Sequence, residues 1–276
     1  MNKLLKLIPS DELSLIKIED IKWLTSVFNK YTGYPNVEQI WELMNQPWDT
    51  LKCDPTVMDE RIEKYYSHPV WLLNGLFIEQ HLPSLKNRID FKDWVTKQSP
   101  TKIAELGGGF GSLARMIALD LPLCFIDVVE PHAHPIALAR ANKTNNVRYV
   151  NYMEDTYDIL IATDVFEHVP DPIKLVYETA QHLTVGGRYL IANCFHPIIH
   201  CHLPQTFHLR YSWDETMLAM GLVPADKVSY GRAYVKQDDL DLDAARKVEF
   251  KSQKLWQYTK HLPNIAGRIF TKIFLS

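Results

Sequence analysis

The chain has 276 residues, 46% of them hydrophobic and 23% charged, an ordinary globular composition long enough for one large domain or one domain with a cap. A net charge of −3 supplies no global positive field to draw in nucleic acid. No stretch has the apolar length of a signal peptide or a membrane span, and Cys53, Cys124, Cys194 and Cys201 form no CxxC pair, so a cytoplasmic protein with reduced thiols is expected.

Residues 1 to about 98 carry helical patterns. Ile21, Leu24, Val27, Phe28 and Tyr31 recur at helical spacing, with Gly33 as a natural stop. Asn36 with Gln39 reads as a capping box ahead of Val37, Ile40, Trp41 and Met44. A third helix is predicted from Met58 to His81, broken near Pro69. Trp23, Trp41, Trp48, Trp71 and Trp94 all fall in this segment, which therefore packs on something.

From Thr101 short apolar strands alternate with helices, the pattern of a parallel sheet covered on both faces. Strands are predicted at Ile103–Leu106, Cys124–Val129, Val147–Val150, Ile159–Ala162 and Tyr189–Ala192. A helix bearing Ile173, Val176, Ala180 and Leu183 precedes the last of these and is expected to stop at Gly186-Gly187. Beyond Asn193 the regularity fades, except for a helix over Trp213–Met220 ended by Gly221. The fold expected is a doubly wound α/β domain.

Between the first strand and its helix lies Glu105-Leu106-Gly107-Gly108-Gly109-Phe110-Gly111. The chain holds 11 glycines, and Gly107, Gly108, Gly109 and Gly111 sit together where backbone must approach a ligand. A dinucleotide fingerprint would need glycine at 112, where the chain has Ser112. A pyrophosphate also wants no anion nearby. A sulfonium cofactor carries positive charge, which Glu105 suits. Glu130, at the end of the second strand, is placed to accept both ribose hydroxyls of either cofactor.

Residues 101 to about 193 resemble the core of a class I S-adenosylmethionine (SAM) dependent methyltransferase, of the branch that includes ubiquinone and small-molecule methyltransferases. Besides the glycine loop, the matches are Val128-Val129-Glu130-Pro131, Asp164-Val165-Phe166-Glu167-His168-Val169-Pro170-Asp171-Pro172 and Leu183-Thr184-Val185-Gly186-Gly187-Arg188. The resemblance implies a Rossmann-like, mostly parallel sheet of seven strands with the last antiparallel. It implies SAM as cofactor, the glycine loop on its methionine part, Glu130 on its ribose and Asp164 beside it. It further implies that helices ahead of the first strand fold over the cofactor, with Tyr66 and Trp71 as contacts. The family's acid facing adenine falls here between Asn151 and Tyr157, with Glu154 and Asp155 as alternatives. The division expected is a helical cap over 1–98, a SAM-binding core over 99–250 and a basic amphipathic end over 251–276.

Methyl transfer to a hydroxyl also removes a proton, a task suited to histidine. His196, after the fifth strand, and His168, after the fourth, are the candidate bases. The run from His196 to His208 forms a substrate-facing insertion over 194–212, in which His200, His202, His208 and Arg210 are expected to hydrogen-bond the acceptor. It meets no standard metal-ligand spacing, so no metal is expected. The acceptor expected is a small molecule or glycan-like compound, most simply O-methylated, and not a nucleic acid. Two rivals stand beside this reading: a SAM-binding partner subunit without turnover, and a nicotinamide oxidoreductase. The end from Lys251 has five Lys or Arg and no acid, and is expected to pack on the body or a second subunit in a homodimer, with membrane contact as the alternative.

Overall fold

Seven strands, β1 (Lys102–Leu106), β2 (Phe125–Val129), β3 (Val147–Val150), β4 (Tyr157–Thr163), β5 (Leu183–Ala192), β6 (Leu222–Val228) and β7 (Gly231–Lys236), form one sheet in the order β3-β2-β1-β4-β5-β7-β6. The structure is a computed structural model describing residues 8–31 and 34–275, so the stop expected at Gly33 lies outside the described residues. Pairs among β1 to β5 are parallel, and β7 runs antiparallel to both β5 and β6. This is the doubly wound, Rossmann-like sheet the sequence implies. The chain passes from β1 to β2 and β3 on one side, then returns to β4 on the other. That reversal opens a crevice beyond the carboxyl ends of β1 and β4.

Apolar strands with both faces buried need two covering layers. On one face Ile103, Ile126, Val128, Ile159 and Ile161 pack on α5 (Leu82–Gln98), through Phe91, Trp94 and Val95, and on α6 (Ser112–Asp120). On the other face Leu160, Ala162, Tyr189 and Ile191 meet α8 (Pro172–Gln181), α9 (Trp213–Met220) and Ala245 of α10 (Leu242–Thr259). Between these, α7 (Pro135–Ala141) follows β2. A third cluster joins α1 (Ile18–Lys30), α2 (Val37–Thr50), α3 (Glu60–Tyr66) and α4 (Pro69–Ile78) to Phe110, Ile136, Ile199, Cys201 and Leu203. Thus α1 to α4 cap the carboxyl edge of the sheet, whereas α5 belongs to the sheet's own covering.

Local signals set many boundaries. Asn36 and Gln39 exchange the reciprocal bonds of a capping box, each 2.9 Å. Pro69 opens α4 after a break, and Gly221 ends α9 at φ 99°, a conformation that suits glycine. One expectation fails: α8 ends at Gln181, and Gly186 and Gly187 lie inside β5, where the register against β4 shifts. A glycine pair serves a strand irregularity as readily as a helix stop.

The cap is pinned by charge as well as by packing. Glu79 accepts hydrogen bonds from Ser112 Oγ at 2.6 Å, from Arg115 at 2.5 Å, and from Arg140. Arg140 also holds Glu12 at 2.8 Å. The final helix α11 (Asn264–Leu275) buries Gly267 against Tyr211 and leaves Ile265, Ile269, Ile273 and Phe274 exposed. No described helix is long and apolar enough to cross a membrane.

Candidate active site

A cleft of about 1480 Å³ opens between the cap and the carboxyl ends of β1, β2 and β4. Its floor is the loop after β1. Gly107, Gly109 and Gly111 all have positive φ, of 63°, 52° and 60°, so the loop doubles back with its backbone facing the cleft. A methyl group built on Gly107 would strike Val165 at 2.7 Å, and one on Gly108 would strike Val128 at 2.7 Å. On Gly109 it would meet nothing within 4 Å. Gly109 is thus the loop position whose free side is the cleft. Gly111 is different: it does not line the cleft, it immediately precedes α6, and a methyl group built on it would strike Tyr149 Oη at 2.7 Å.

Two carboxylates flank this loop. Glu130, half-buried at the end of β2, accepts the Gly109 N–H at 3.0 Å on Oε2 and the His132 N–H at 3.0 Å on Oε1. A carboxylate has about four acceptor sites, so roughly two remain for a ligand's hydroxyls. Glu105 is buried and accepts the Ala114 N–H at 3.1 Å. Burial raises its pKa to about 7, opposed by nearby Arg88. A cation in the cleft would restore its ionisation.

The upper wall comes from the cap. Tyr66 and Trp71 line the cleft with ring centroids 5.1 Å apart, and Tyr66 stacks on His132 at 6.0 Å. Trp71 Nε1 is buried with no hydrogen-bond partner among the described residues. At the end of β4, Asp164 takes a left-handed φ of 54°, rare for a non-glycine residue and typical of sites where function fixes the backbone. Its carboxylate opens on the cleft, walled by protein, and accepts the Tyr230 hydroxyl at 2.8 Å. Burial in that wall raises its pKa.

Residues 104–189 match the methyltransferase domain family. The chain is 24% identical over 164 residues to a malonyl-[acyl-carrier protein] O-methyltransferase of Halalkalibacterium halodurans, covering 54% of this chain and 60% of that one. It is 25% identical over 103 residues to a ubiquinone biosynthesis O-methyltransferase of Klebsiella pneumoniae, covering 33% and 42%. The chain thus spans about half the length of these relatives. Among solved structures, human N-acetylserotonin methyltransferase in complex with SAM superposes with a TM-score of 0.51 at 14% identity, covering 72% of this chain and 66% of that one. An O-methyltransferase family protein from Burkholderia thailandensis gives 0.52 at 12% identity, covering 78% and 76%. Residues 104–189 are by sequence a methyltransferase domain, and the fold is the one shared by methyltransferases solved with SAM.

In this methyltransferase domain the expected site residues divide. Glu105, Gly107, Gly108, Gly109, Glu130, Asp164, Tyr66, Trp71, His168 and His202 line the cleft. His196, His200, His208 and Arg210 do not. His196 is partly buried beside the positive charges of Arg210 and Arg268, which, after burial, lower its pKa. His200 is exposed and bonds Asp49 at 2.8 Å. His208 is buried against Ser252 at 3.0 Å, and burial pushes its pKa down to about 4. Arg210 donates to Phe195 O at 2.8 Å and lies over the Trp256 ring at 5.1 Å. The insertion is therefore a clamp between cap and core; of its four expected acceptor contacts only His202 reaches the cleft, beside Cys194, Ile198 and Ile199 of the same segment.

Two features escaped the sequence. Asp155 does not line the cleft; it pairs with Lys102 at 2.5 Å and Arg148 at 3.4 Å, and the edge beyond β3 is formed by Asn151, Tyr152 and Met153. Glu167, fully buried behind His168, accepts the Cys194 N–H at 2.7 Å on Oε1, while Oε2 has no partner among the described residues. Burial, with Asp164 nearby, lifts its pKa well above the usual carboxylate range. Burial drives the His168 pKa down to about 3, and His202 beside it adds to the shift. The two rings meet edge to face at 4.8 Å. The motif Asp164 to His168 contained Glu167, but nothing in its spacing tied it to His202.

Proposed function

We propose that the chain transfers the SAM methyl group to an oxygen of a small-molecule or glycan-like acceptor bound in this cleft. In this reading Glu130 holds the ribose hydroxyls, the backbone of Gly107 to Gly109 receives the methionine part, and ionised Glu105 faces its positive charge. Gly111 shapes the turn. Tyr66 and Trp71 close over the cofactor, and Asp164 positions it with Tyr230. SAM supplies an electrophilic methyl carbon on a positively charged sulfur leaving group.

The observation that carries the reading is the shared cleft: the glycine loop and Glu130 line the same cavity as His168 and His202. Transfer is an in-line displacement, in which holding the reactants in position contributes much of the rate. A hydroxyl must also lose its proton as the methyl arrives, and the cluster of Glu167, His168 and His202 is the polar group in the wall suited to assist. The names of the two O-methyltransferase relatives support oxygen as the methylated atom. His196, outside the cleft lining, is a weaker candidate for the proton acceptor than His168.

The test is incubation with methyl-labelled SAM and fractionated small-molecule and oligosaccharide extracts, with mass spectrometry of products. A product gaining one labelled methyl on oxygen supports the reading. SAM binding without methyl loss on any fraction would favour a partner subunit that keeps the fold without turnover.

A further inference from the structure

Glu167, His168 and His202 each offer a ligand atom, and these atoms lie within 4.8 Å of one another. A common centre then lies no more than about 2.8 Å from each (4.8/√3), against about 2.0–2.2 Å for zinc bonded to histidine or carboxylate. Small side-chain movements close that gap.

The hydrogen bonds around the cluster are those a metal site uses. His168 Nδ1 lies 3.1 Å from Cys201 O and His202 Nδ1 lies 2.6 Å from His196 O. Each backbone oxygen can only accept, so each Nδ1 carries the proton and each Nε2 keeps a free lone pair. A ligating histidine is oriented by such a bond from its other ring nitrogen. Glu167 supplies the independent sign of a missing ligand: its side chain is fully buried, Oε1 is satisfied by Cys194, and Oε2 has no partner among the described residues. Two nearby hydroxyls are engaged elsewhere, since Tyr65 Oη donates to Cys201 Sγ and Tyr230 Oη to Asp164, and the Trp71 N–H, whose ring packs edge-on to His168, makes no hydrogen bond to the cluster. Two imidazole nitrogens and a buried carboxyl oxygen that converge without a hydrogen bond between them suit a cation, which would take the place of the carboxyl proton.

We infer that Glu167, His168 and His202 bind one divalent transition-metal ion in the wall of the cleft. Two imidazoles and one carboxylate suit zinc, cobalt or iron(II) better than magnesium or calcium, which favour all-oxygen sites. Three protein ligands leave coordination positions open, as in catalytic zinc sites, and His168 and His202 face the cleft from which a further ligand would come.

The role of the ion in methyl transfer rests on the proposed function; its binding does not. An acceptor hydroxyl coordinated to the ion loses its proton to solvent. Its oxygen bonds to the SAM methyl carbon as the carbon–sulfur bond breaks, and the electron pair stays on sulfur as a neutral thioether. The ion lowers the pKa of the bound hydroxyl, as it does for water.

The test uses the full chain, stripped with a chelator, dialysed and titrated with Co²⁺ and then Zn²⁺. The expected result is one equivalent of Co²⁺ with visible d–d bands that Zn²⁺ abolishes. Glu167→Gln and His202→Ala should each weaken Zn²⁺ binding at least tenfold, while His200→Ala changes it less than twofold. If Glu167→Gln does not fold, His202→Ala and His202→Gln decide the matter. Absence of stoichiometric Co²⁺ bands, or unchanged Zn²⁺ affinity in the His202 variants, overturns the site. A bound ion with no methyl transfer to any acceptor would instead count against the proposed function and leave the ion site standing.

Discussion

The Glu130 carboxylate accepts the Gly109 amide at 3.0 Å, tying the end of β2 to the loop after β1 across the floor of the cleft. One side chain therefore both shapes the loop and presents free acceptor sites where a ribose would lie. Glu130→Ala removes both. It should weaken SAM binding about 10–100-fold, the effect of losing charge-assisted hydrogen bonds of about 1.5–3 kcal/mol. Calorimetry on a variant with wild-type circular dichroism checks this, and unchanged affinity would remove Glu130 from the site.

Gly109 tests the loop itself. Its φ of 52° disfavours any side chain, and the space a Cβ would enter is open cleft. Gly109→Val should leave the far-UV spectrum near wild type and abolish SAM binding. Gly107→Val is the structural control, because its side chain would strike Val165 and unsettle the fold. Retained SAM binding by the Gly109 variant would move the cofactor off the loop.

Glu105 gives a pH signature. Burial raises its folded pKa from an ordinary 4.5 to about 7, so between those values the folded state binds more protons than the unfolded state. Its contribution to stability should fall as pH rises through that window and level off above it. A cofactor carrying positive charge favours the ionised form, so SAM affinity should rise from pH 5.5 to 8 with release of a proton. Calorimetry in buffers of different ionisation heat measures that proton. Glu105→Gln should lose the release, and a variant that keeps it would assign the proton to another group.

The histidines separate by position. His168→Ala or His202→Ala should lower kcat by about 10²–10⁴-fold, the typical scale of assistance to proton removal, with SAM affinity nearly unchanged. His196→Ala should keep kcat within about threefold, since its ring does not line the cleft. Steady-state kinetics on the methylated product of the acceptor screen decides between them. A large loss in the His196 variant alone would return the role to that residue.

Legibility followed the range of the interactions. The capping box at Asn36 and Gln39, the stop at Gly221 and the glycine loop depend on neighbours a few residues apart, and the sequence displays them. The outer strands did not stand out. Most of β6, Leu222 to Val228, faces solvent and it contains Pro224, as an edge strand tolerates, so it lacks the apolar run of β1 or β4. The wall cluster was hidden for another reason. His202 lies 34 residues beyond His168. It is carried back by contacts of the insertion: Cys201 accepts from Tyr65 at 3.3 Å and Leu203 donates to Glu167 O at 2.8 Å. His200, two residues away, points instead to Asp49, and no periodicity distinguishes the two.

The central claim is that this cleft is a SAM site, and a calorimetric titration of the full chain with SAM, S-adenosylhomocysteine and NADH tests it most directly. The account predicts saturable binding of one SAM per chain, competition by S-adenosylhomocysteine, and no heat from NADH. Absence of SAM binding by the folded protein, or displacement of SAM by NADH, would contradict it.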